Sequence, residues 1–290
     1  MIESSPTSIS HMAKKMEAVL RARGIATAML DSEMLLGYYL NRDRVDLYRN
    51  GDSSLSNDEL AAVNEGLARR MKGEPIAYIV GKKEFWSLEF EVNPSVLIPR
   101  PETEFLVETV LKLAGQTSMP AQHILEIGTG SGAVVTALAA ELVRGRFFAM
   151  DISLEALKLA GKNAARLGVA SRISFFCGNL CEPLKGPFDF VVSNPPYISE
   201  HEYKNLSSEV TDFEPKEALL AGRDGTEFHR AIIDGVAPCL KAGGWLVMEI
   251  GYGQRGSVER MLRQNGKYDY SSSRCDYAGI DRVIMAQRKE

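Results

Sequence analysis

The sequence predicts an α/β chain in which an open, mostly parallel sheet carries helices on both faces and follows a small α-helical domain. Three observations predict it. Apolar stripes of helical period fill the first 75 residues or so. From about residue 120, short apolar runs alternate with helical stretches, the pattern of a sheet built from strand–helix–strand units. The tail then breaks the alternation, because YDYSSSRC and DRVIMAQR read as two strands with no helix between them, so the last pair is expected to be antiparallel.

The elements follow in order. Ile9, Met12, Ala13, Met16 and Leu20 share one face of a helix, and Gly24 supplies its stop. A second helix is expected through Leu30, Met34, Leu35 and Tyr38. Ser56 and Glu59 fit a capping box, and Leu60, Val63, Leu67 and Met71 form a third apolar stripe that ends near Gly73 and Pro75. Residues 83–98, KEFWSLEFEVNPSVLI, are aromatic and β-branched. They read as a hairpin bridging two domains, with Asn93-Pro94 as a turn. The next helix should begin near Pro101 and turn Phe105, Leu106, Val110 and Leu111 inward. Strands are expected at HILEIG (123–128), RFFAMD (146–151), RISFFCG (172–178), FDFVVS (188–193) and GGWLVMEIG (243–251). The organisation is therefore a helical domain over 1–80, a hairpin linker over 81–102 and an α/β domain over 103–290.

Composition narrows the function classes. Of 290 residues, 45% are apolar and 25% charged, as a globular core requires. A net charge of −4 argues against a broad nucleic-acid footprint, and no apolar run approaches membrane-spanning length. The start, MIESSPTSIS, lacks a signal-peptide pattern. Cys177, Cys181, Cys239 and Cys275 lack metal-ligand spacing, so reduced thiols in a cytoplasmic protein are expected. The four histidines are scattered, and no metal site is expected. The basic cluster Arg69, Arg70, Lys72, Lys82 and Lys83 reads as a solvated face or as a surface for a partner.

The chemistry concentrates in two stretches. LEIGTGSGA places Glu126, Gly128, Thr129, Gly130, Ser131 and Gly132 between a strand and a helix expected over 133–143. Glycines there permit a tight turn and the close approach of a ligand to the backbone. The spacing is Gly-x-Gly-x-Gly rather than the dinucleotide pattern Gly-x-Gly-x-x-Gly, and a carboxylate at Glu126 suits a cationic amine better than a pyrophosphate. Asp151 ends the next strand, where a carboxylate can accept from both hydroxyls of a ribose, although alone it also fits a helix N-cap. Asn179, followed by Leu180, could bond an adenine edge, or simply be a turn residue. Together these residues fit S-adenosylmethionine.

The second stretch is VVSNPPYISE. Pro195 and Pro196 must end the strand before them, which leaves Asn194 at a strand end with a stiff backbone behind it. The Asn194 side-chain carbonyl and the Pro195 backbone carbonyl can each accept one N–H of a planar NH2 group and aim its nitrogen at a methyl donor. Tyr197 offers a flat face for a planar group. The reading so far reaches a methyltransferase acting on a planar nitrogen.

Asn194-Pro195-Pro196-Tyr197 with the Glu126–Gly132 loop resembles class I methyltransferases of planar amino groups. GEPIAYIVG (73–81), EFW (84–86), LIPRPETE (97–104) and FEP (213–215) are similar to the release factor glutamine methyltransferases, PrmC or HemK. That resemblance implies a seven-stranded Rossmann-like methyltransferase domain with an antiparallel last strand behind a substrate-recognising helical domain. It implies methylation of the glutamine N5 atom in the Gly-Gly-Gln loop of peptide chain release factors, with S-adenosylmethionine as donor and S-adenosylhomocysteine as product. It places Gly128–Gly132, Asp151 and Asn194 at the donor, residues 194–197 around the target glutamine, and Leu97 and Ile98 in the wall of its pocket. Arg100 and Glu102 would order the linker or meet the factor. The family often has Asp at the position of Asn179 and an aromatic residue at that of Leu180, so adenine packing here departs from the common pattern. A monomer acting without nucleic acid or membrane is expected. The alternatives are a glutamine methyltransferase of a ribosomal protein and an adenine-N6 or guanine-N2 enzyme.

Overall fold

A computed structural model of the chain describes residues 7–116, 122–182 and 185–290, and the first six residues of the polar start lie outside it. In chain order the helices are α1 (Ile9–Ala22), α2 (Ala28–Leu40), α3 (Arg44–Arg49), α4 (Asn57–Met71), α5 (Ile76–Val80), α6 (Glu104–Gly115), α7 (Ala133–Glu141), α8 (Leu154–Arg166), α9 (Glu200–Tyr203), α10 (Ser208–Thr211), α11 (Glu227–Val236) and α12 (Arg255–Asn265). The strands are β1 (Lys82–Phe85), β2 (Leu88–Glu91), β3 (His123–Ile127), β4 (Arg146–Asp151), β5 (Ile173–Cys177), β6 (Phe188–Ser193), β7 (Leu240–Glu249), β8 (Tyr268–Cys275) and β9 (Asp281–Arg288). The chain divides into two compact units, one of residues up to Lys82 with Ser208–Phe213, the other of Lys83–Ser207 and Glu214–Glu290.

In the helical unit, Ile9, Met12, Met16 and Leu20 of α1 pack with Leu35 and Leu36 of α2 and with Val63 and Leu67 of α4. The capping box forms: Ser56 Oγ accepts from the Glu59 amide, and Glu59 Oε2 accepts from the Ser56 amide at 2.8 Å. Such a cap contributes about 1 kcal/mol. Two expectations fail here. Leu30 and Tyr38 are exposed rather than buried, and Arg70 is buried rather than on a basic surface. The Arg70 Nε donates to Asp31 Oδ2 at 2.6 Å, and both side chains are almost fully out of water. The inward face of α2 carries Ala28, Leu35, Leu36 and Leu40 together with Asp31. Losing one partner would strand a buried charge at a cost of about 3–5 kcal/mol.

The hairpin also differs from its expected form. Its turn is Trp86-Ser87, both at φ +54, and Asn93-Pro94 makes a separate turn closed by the Val96 amide on the Asn93 carbonyl. The left-handed turn carries no Gly or Asn to mark it. Side chains brace it instead: the Trp86 amide donates to Glu104 Oε1 and its indole Nε1 to Glu141 Oε1, each at 2.8 Å. Phe85 and Phe90 join the core of the second unit, edge to face at 6.2 Å.

That unit is a seven-stranded sheet in the order β5-β4-β3-β6-β7-β9-β8. The pairs from β5 to β7 are parallel, and β9 lies antiparallel between β7 and β8. Alternate residues feed two cores. Ile124, Phe147 and Phe190 pack with α6 and α7 on one face; Leu125, Met150 and Val191 pack with α11 and α12 on the other. The chain starts at β3, builds outward to β5, then returns to lay β6 against the free edge of β3. The strand order thus reverses between β3 and β6, and ligand crevices of open α/β sheets lie at the carboxyl ends of such a pair.

Candidate active site

Both motifs reach that reversal. Ile127 at the end of β3 pairs with Ser193 at the end of β6, so the glycine loop and the Asn194 segment leave the sheet side by side. The Ser193 hydroxyl donates to the Ile127 carbonyl at 2.8 Å and locks the two ends together. Above them opens a cavity of about 940 Å³. It is lined by Glu126, Gly128, Thr129, Gly130 and Ser131, by Asp151, Asn179 and Leu180, by Asn194, Pro195 and Pro196, and by Leu97.

The glycine loop is held by its own backbone. The Gly128 and Thr129 amides both donate to the Met150 carbonyl at 2.9 Å, which ties the loop to β4. Gly128, Gly130 and Gly132 all take positive φ. A Cβ on Gly128 or Gly130 would meet no atom within 4 Å, as backbone laid open to a ligand requires. Gly132 differs: a Cβ there would come within 2.9 Å of Ala160 Cβ, and the residue does not line the cavity. It serves the close packing of α7 on α8.

Glu126 is buried to 2% exposure beneath the loop. Its Oε2 accepts from the Thr129 hydroxyl at 2.6 Å and the Val135 amide at 3.2 Å. Burial pushes its pKa up to about 8, opposed by those two donors and assisted by the nearby Asp151 charge. Asp151 Oδ2 accepts from the Gly130 amide and Oδ1 from the Ser153 amide, each at 2.9 Å. Ser153, not Asp151, caps α8, accepting from the Ala156 amide at 3.2 Å. Each Asp151 oxygen therefore keeps acceptor capacity toward the cavity. Asn179 is exposed at the rim, its carbonyl closing a turn with the Glu182 amide; Leu180, at φ +50, leans on the core formed with α11.

The Asn194 side chain is half-buried, and its Nδ2 donates to Thr103 Oγ1 at 3.1 Å. That bond uses the amide nitrogen and leaves the Oδ1 end to face elsewhere. Tyr197 does not line the cavity. Its hydroxyl donates to Glu249 Oε1 at 3.2 Å, and its carbonyl accepts from Gln254 Nε2 at 2.8 Å. Burial and the Glu249 charge raise the tyrosine pKa. Ile98 is buried and its amide donates to Glu214 Oε2 at 3.1 Å; only Leu97 of that pair faces the cavity. Arg100 bonds the same Glu214 carboxylate, which is 5% exposed, so this pair ties the LIPRPE stretch to FEP.

Thr103, Glu249, Gln254 and Glu214 were not identified from the sequence as parts of the site. Thr103 and Glu214 stand inside the quoted LIPRPETE and FEP stretches, and Gln254 closes GYGQ, but nothing local says that they meet. Apolar Met150, Ile152, Phe228 and Ile232 and charged Arg100, Glu155, Lys216 and Glu217 are also among the lining residues.

Strand order, the antiparallel β9 and a glycine loop at the β3–β6 reversal define a class I methyltransferase. A family model of the PrmC N-terminal domain matches residues 12–81, and one of the methyltransferase small domain matches 101–212. The release factor glutamine methyltransferase of Geobacter sulfurreducens is 43% identical over 91% of each chain, and that of Nitratidesulfovibrio vulgaris 40% identical over 98% of each. A solved methyltransferase from Pyrococcus furiosus shares the fold at a TM-score of 0.52 and 17% identity, over 78% of this chain and all of that one. The chain belongs to the release factor glutamine methyltransferase family. Among the described residues, no helix is long and apolar enough to cross a membrane.

Proposed function

We propose that this protein methylates the side-chain N5 of the glutamine in the Gly-Gly-Gln loop of peptide chain release factors, and so modulates translation termination. The observation that carries the reading is the placement of Asn194-Pro195-Pro196 beside the glycine loop, with Asn194 Nδ2 already engaged by Thr103. Relatives named for this activity at about 40% identity along nearly the whole chain support it.

The residues present fit S-adenosylmethionine: an open glycine backbone, a buried carboxylate at Glu126, and Asp151 oxygens with acceptor capacity to spare. When bound, that group supplies an electrophilic methyl on a sulfonium. Glu126 would meet the amine, Asp151 the ribose hydroxyls, and Asn179 and Leu180 the adenine, with Gly128, Thr129, Gly130 and Ser131 along the chain between and Gly132 holding the loop in shape. Asn194 Oδ1 and the Pro195 carbonyl accept the two N–H bonds of the target amide, and Leu97 and Pro196 wall it. These acceptors strengthen as the nitrogen gains positive charge, so they favour the transition state over the bound substrate. Methyl transfer would form the N–C bond and break the donor's C–S bond, and the extra proton would leave the nitrogen for water. Tyr197 holds the claw from behind, tied at both its hydroxyl and its carbonyl. The helical domain over 1–80 and the linker over 81–102 recognise the factor, and the domain over 103–290 carries the methyl transfer. The protein works as a cytoplasmic monomer, with neither nucleic acid nor membrane as a partner.

The test is methyl transfer from labelled S-adenosylmethionine to a purified release factor, beside the same factor with its loop Gln replaced, ribosomal protein and RNA. Label on the intact factor alone is expected. Label on ribosomal protein or RNA instead would overturn the substrate. Asn194→Ala should keep donor affinity within about threefold and lose about 100-fold or more in turnover.

A further inference from the structure

The walls around Asn194 are fastened to one another by a closed circuit of hydrogen bonds and short chain segments, and a buried carboxylate that the scheme above does not use completes it. Asn194 Nδ2 donates to Thr103 Oγ1 at 3.1 Å, and the Thr103 amide donates to the Arg100 carbonyl at 3.1 Å. The Arg100 guanidinium donates through Nη2 to Glu214 Oε1, and the Ile98 amide donates to Glu214 Oε2 at 3.1 Å. Pro215 follows at φ −63, and its carbonyl accepts from the Ala218 amide at 3.0 Å, which closes a tight turn over Lys216–Ala218. The Leu219 carbonyl then accepts from the Ile198 amide at 3.0 Å, and the Ile198 carbonyl from the Ala221 amide at 2.8 Å. Ile198 directly follows Asn194-Pro195-Pro196-Tyr197, so the circuit ends where it began. Each arc of it walls the cavity: Leu97 and Arg100 from the first, Lys216 and Leu220 from the second, Asn194 and Pro195 from the third.

We propose that Glu214 is a positioning residue for methyl transfer, which holds the Leu97–Arg100 wall at a fixed distance from the Asn194 and Pro195 acceptors. The Glu214 side chain joins the first arc to the second. Both of its carboxylate oxygens are spent on residues 98 and 100, while its own backbone begins the 215–220 wall. The carboxylate is almost fully out of water. A buried carboxylate met by a backbone amide and a guanidinium is held in direction as well as place, because both bonds are charge-assisted.

The glycine loop is anchored elsewhere, by the Met150 carbonyl and by Asp151. Opening the circuit at Glu214 therefore leaves the donor side intact and frees the target side. A planar amide keeps its nitrogen aimed only while it is pressed between its two acceptors and the facing wall. A displacement of about 1 Å there costs about 100-fold in rate. The loss falls on turnover rather than on binding, since Asn194 Oδ1 and the Pro195 carbonyl are still present to accept the amide.

This inference rests on the claw reading of Asn194, and the experiment separates the two. Turnover of a purified release factor, KM for that factor and S-adenosylhomocysteine affinity by calorimetry would be measured for wild type, Glu214→Ala, Glu214→Gln, Thr103→Val, the Glu214→Ala/Thr103→Val double variant and Asn194→Ala. Glu214→Ala should lose about 30-fold in kcat, with KM and product affinity within about threefold. Glu214→Gln keeps an acceptor for the Ile98 amide but loses the charge facing Arg100, and should lose about fivefold in kcat. Thr103→Val opens the same circuit at its Asn194 link, so the double variant should fall no more than about threefold below the worse single one, whereas independent packing defects multiply. Wild-type kcat in Glu214→Ala, a rise in KM alone, or losses that multiply in the double variant overturns the proposal. Where Glu214→Ala misfolds and binds no S-adenosylhomocysteine, Glu214→Gln decides, and wild-type kcat there overturns the proposal equally. An inactive Asn194→Ala beside a fully active Glu214→Ala leaves the claw standing alone. An active Asn194→Ala removes the claw, and this proposal with it.

Discussion

Replacing Glu126 with Gln should flatten the pH dependence of donor binding. The wild-type carboxyl is buried and held near pKa 8 in the free protein. Meeting a cationic amine requires the ionised form, present in about one molecule in a hundred at pH 6 and one in eleven at pH 7. Affinity for S-adenosylhomocysteine should therefore rise about tenfold over that unit, while the ligand amine stays charged below about pH 7.5. Binding at pH 7 should release close to one proton, countable by titration calorimetry in buffers of different ionisation heat. The linkage to folding has the opposite sign. An unfolded Glu ionises near 4.5, so between there and about 8 the folded protein holds the extra proton. Stability of the free protein is then highest below the lower value. It falls as pH rises through the window, by up to about 5 kcal/mol from this group. Glu126→Gln should bind weakly at every pH, within about twofold from pH 6 to 7.5, and release no proton. A wild-type affinity that does not change with pH, with no proton released, would refute the placement of the amine at Glu126.

Two further substitutions probe the scaffold. Gly132→Ala puts a Cβ against Ala160 at a φ of +77 and should cost about 2–4 kcal/mol, read as a lower midpoint in urea; an unchanged midpoint would show that α7 and α8 move apart freely. Gln254→Ala frees the Tyr197 and Gly225 carbonyls and the Gly251 amide, and should lower kcat roughly tenfold with donor affinity unchanged. Equal kcat in that variant would mean that Pro195 and Pro196 hold the claw unaided.

What was legible in the sequence was what is local. The Gly128–Gly132 loop and Asn194–Pro196 announce themselves because their backbone demands particular residues: glycine at positive φ, proline at a strand stop. The strand runs of the sheet were legible through apolarity. The positioning groups were not, because a hydrogen bond is indifferent to sequence distance. Thr103 and Asn194 are 91 residues apart, Arg100 and Glu214 are 114, and Asp31 and Arg70 are 39. Leu30 and Tyr38 stay outside because α2 buries a neighbouring apolar face, Ala28, Leu35, Leu36 and Leu40, with Asp31 among them. The hairpin turn was misplaced because Trp86 and Ser87 take a conformation that the protein imposes with Glu104 and Glu141 rather than with glycine.

The order of the last strands bears on how the chain assembles as it is made. β8 precedes β9 in the chain but reaches the sheet only through it, since its pairing partner is β9 and not β7. Until Asp281–Arg288 is in place, Trp245–Glu249 of β7 shows an open row of backbone donors and acceptors, and Tyr268–Cys275 has nothing to pair with. A nascent chain that has folded everything up to α12 therefore carries an adhesive edge. A short final segment, slotted between two strands already made, hides that edge and completes the wall that holds Glu249 in place.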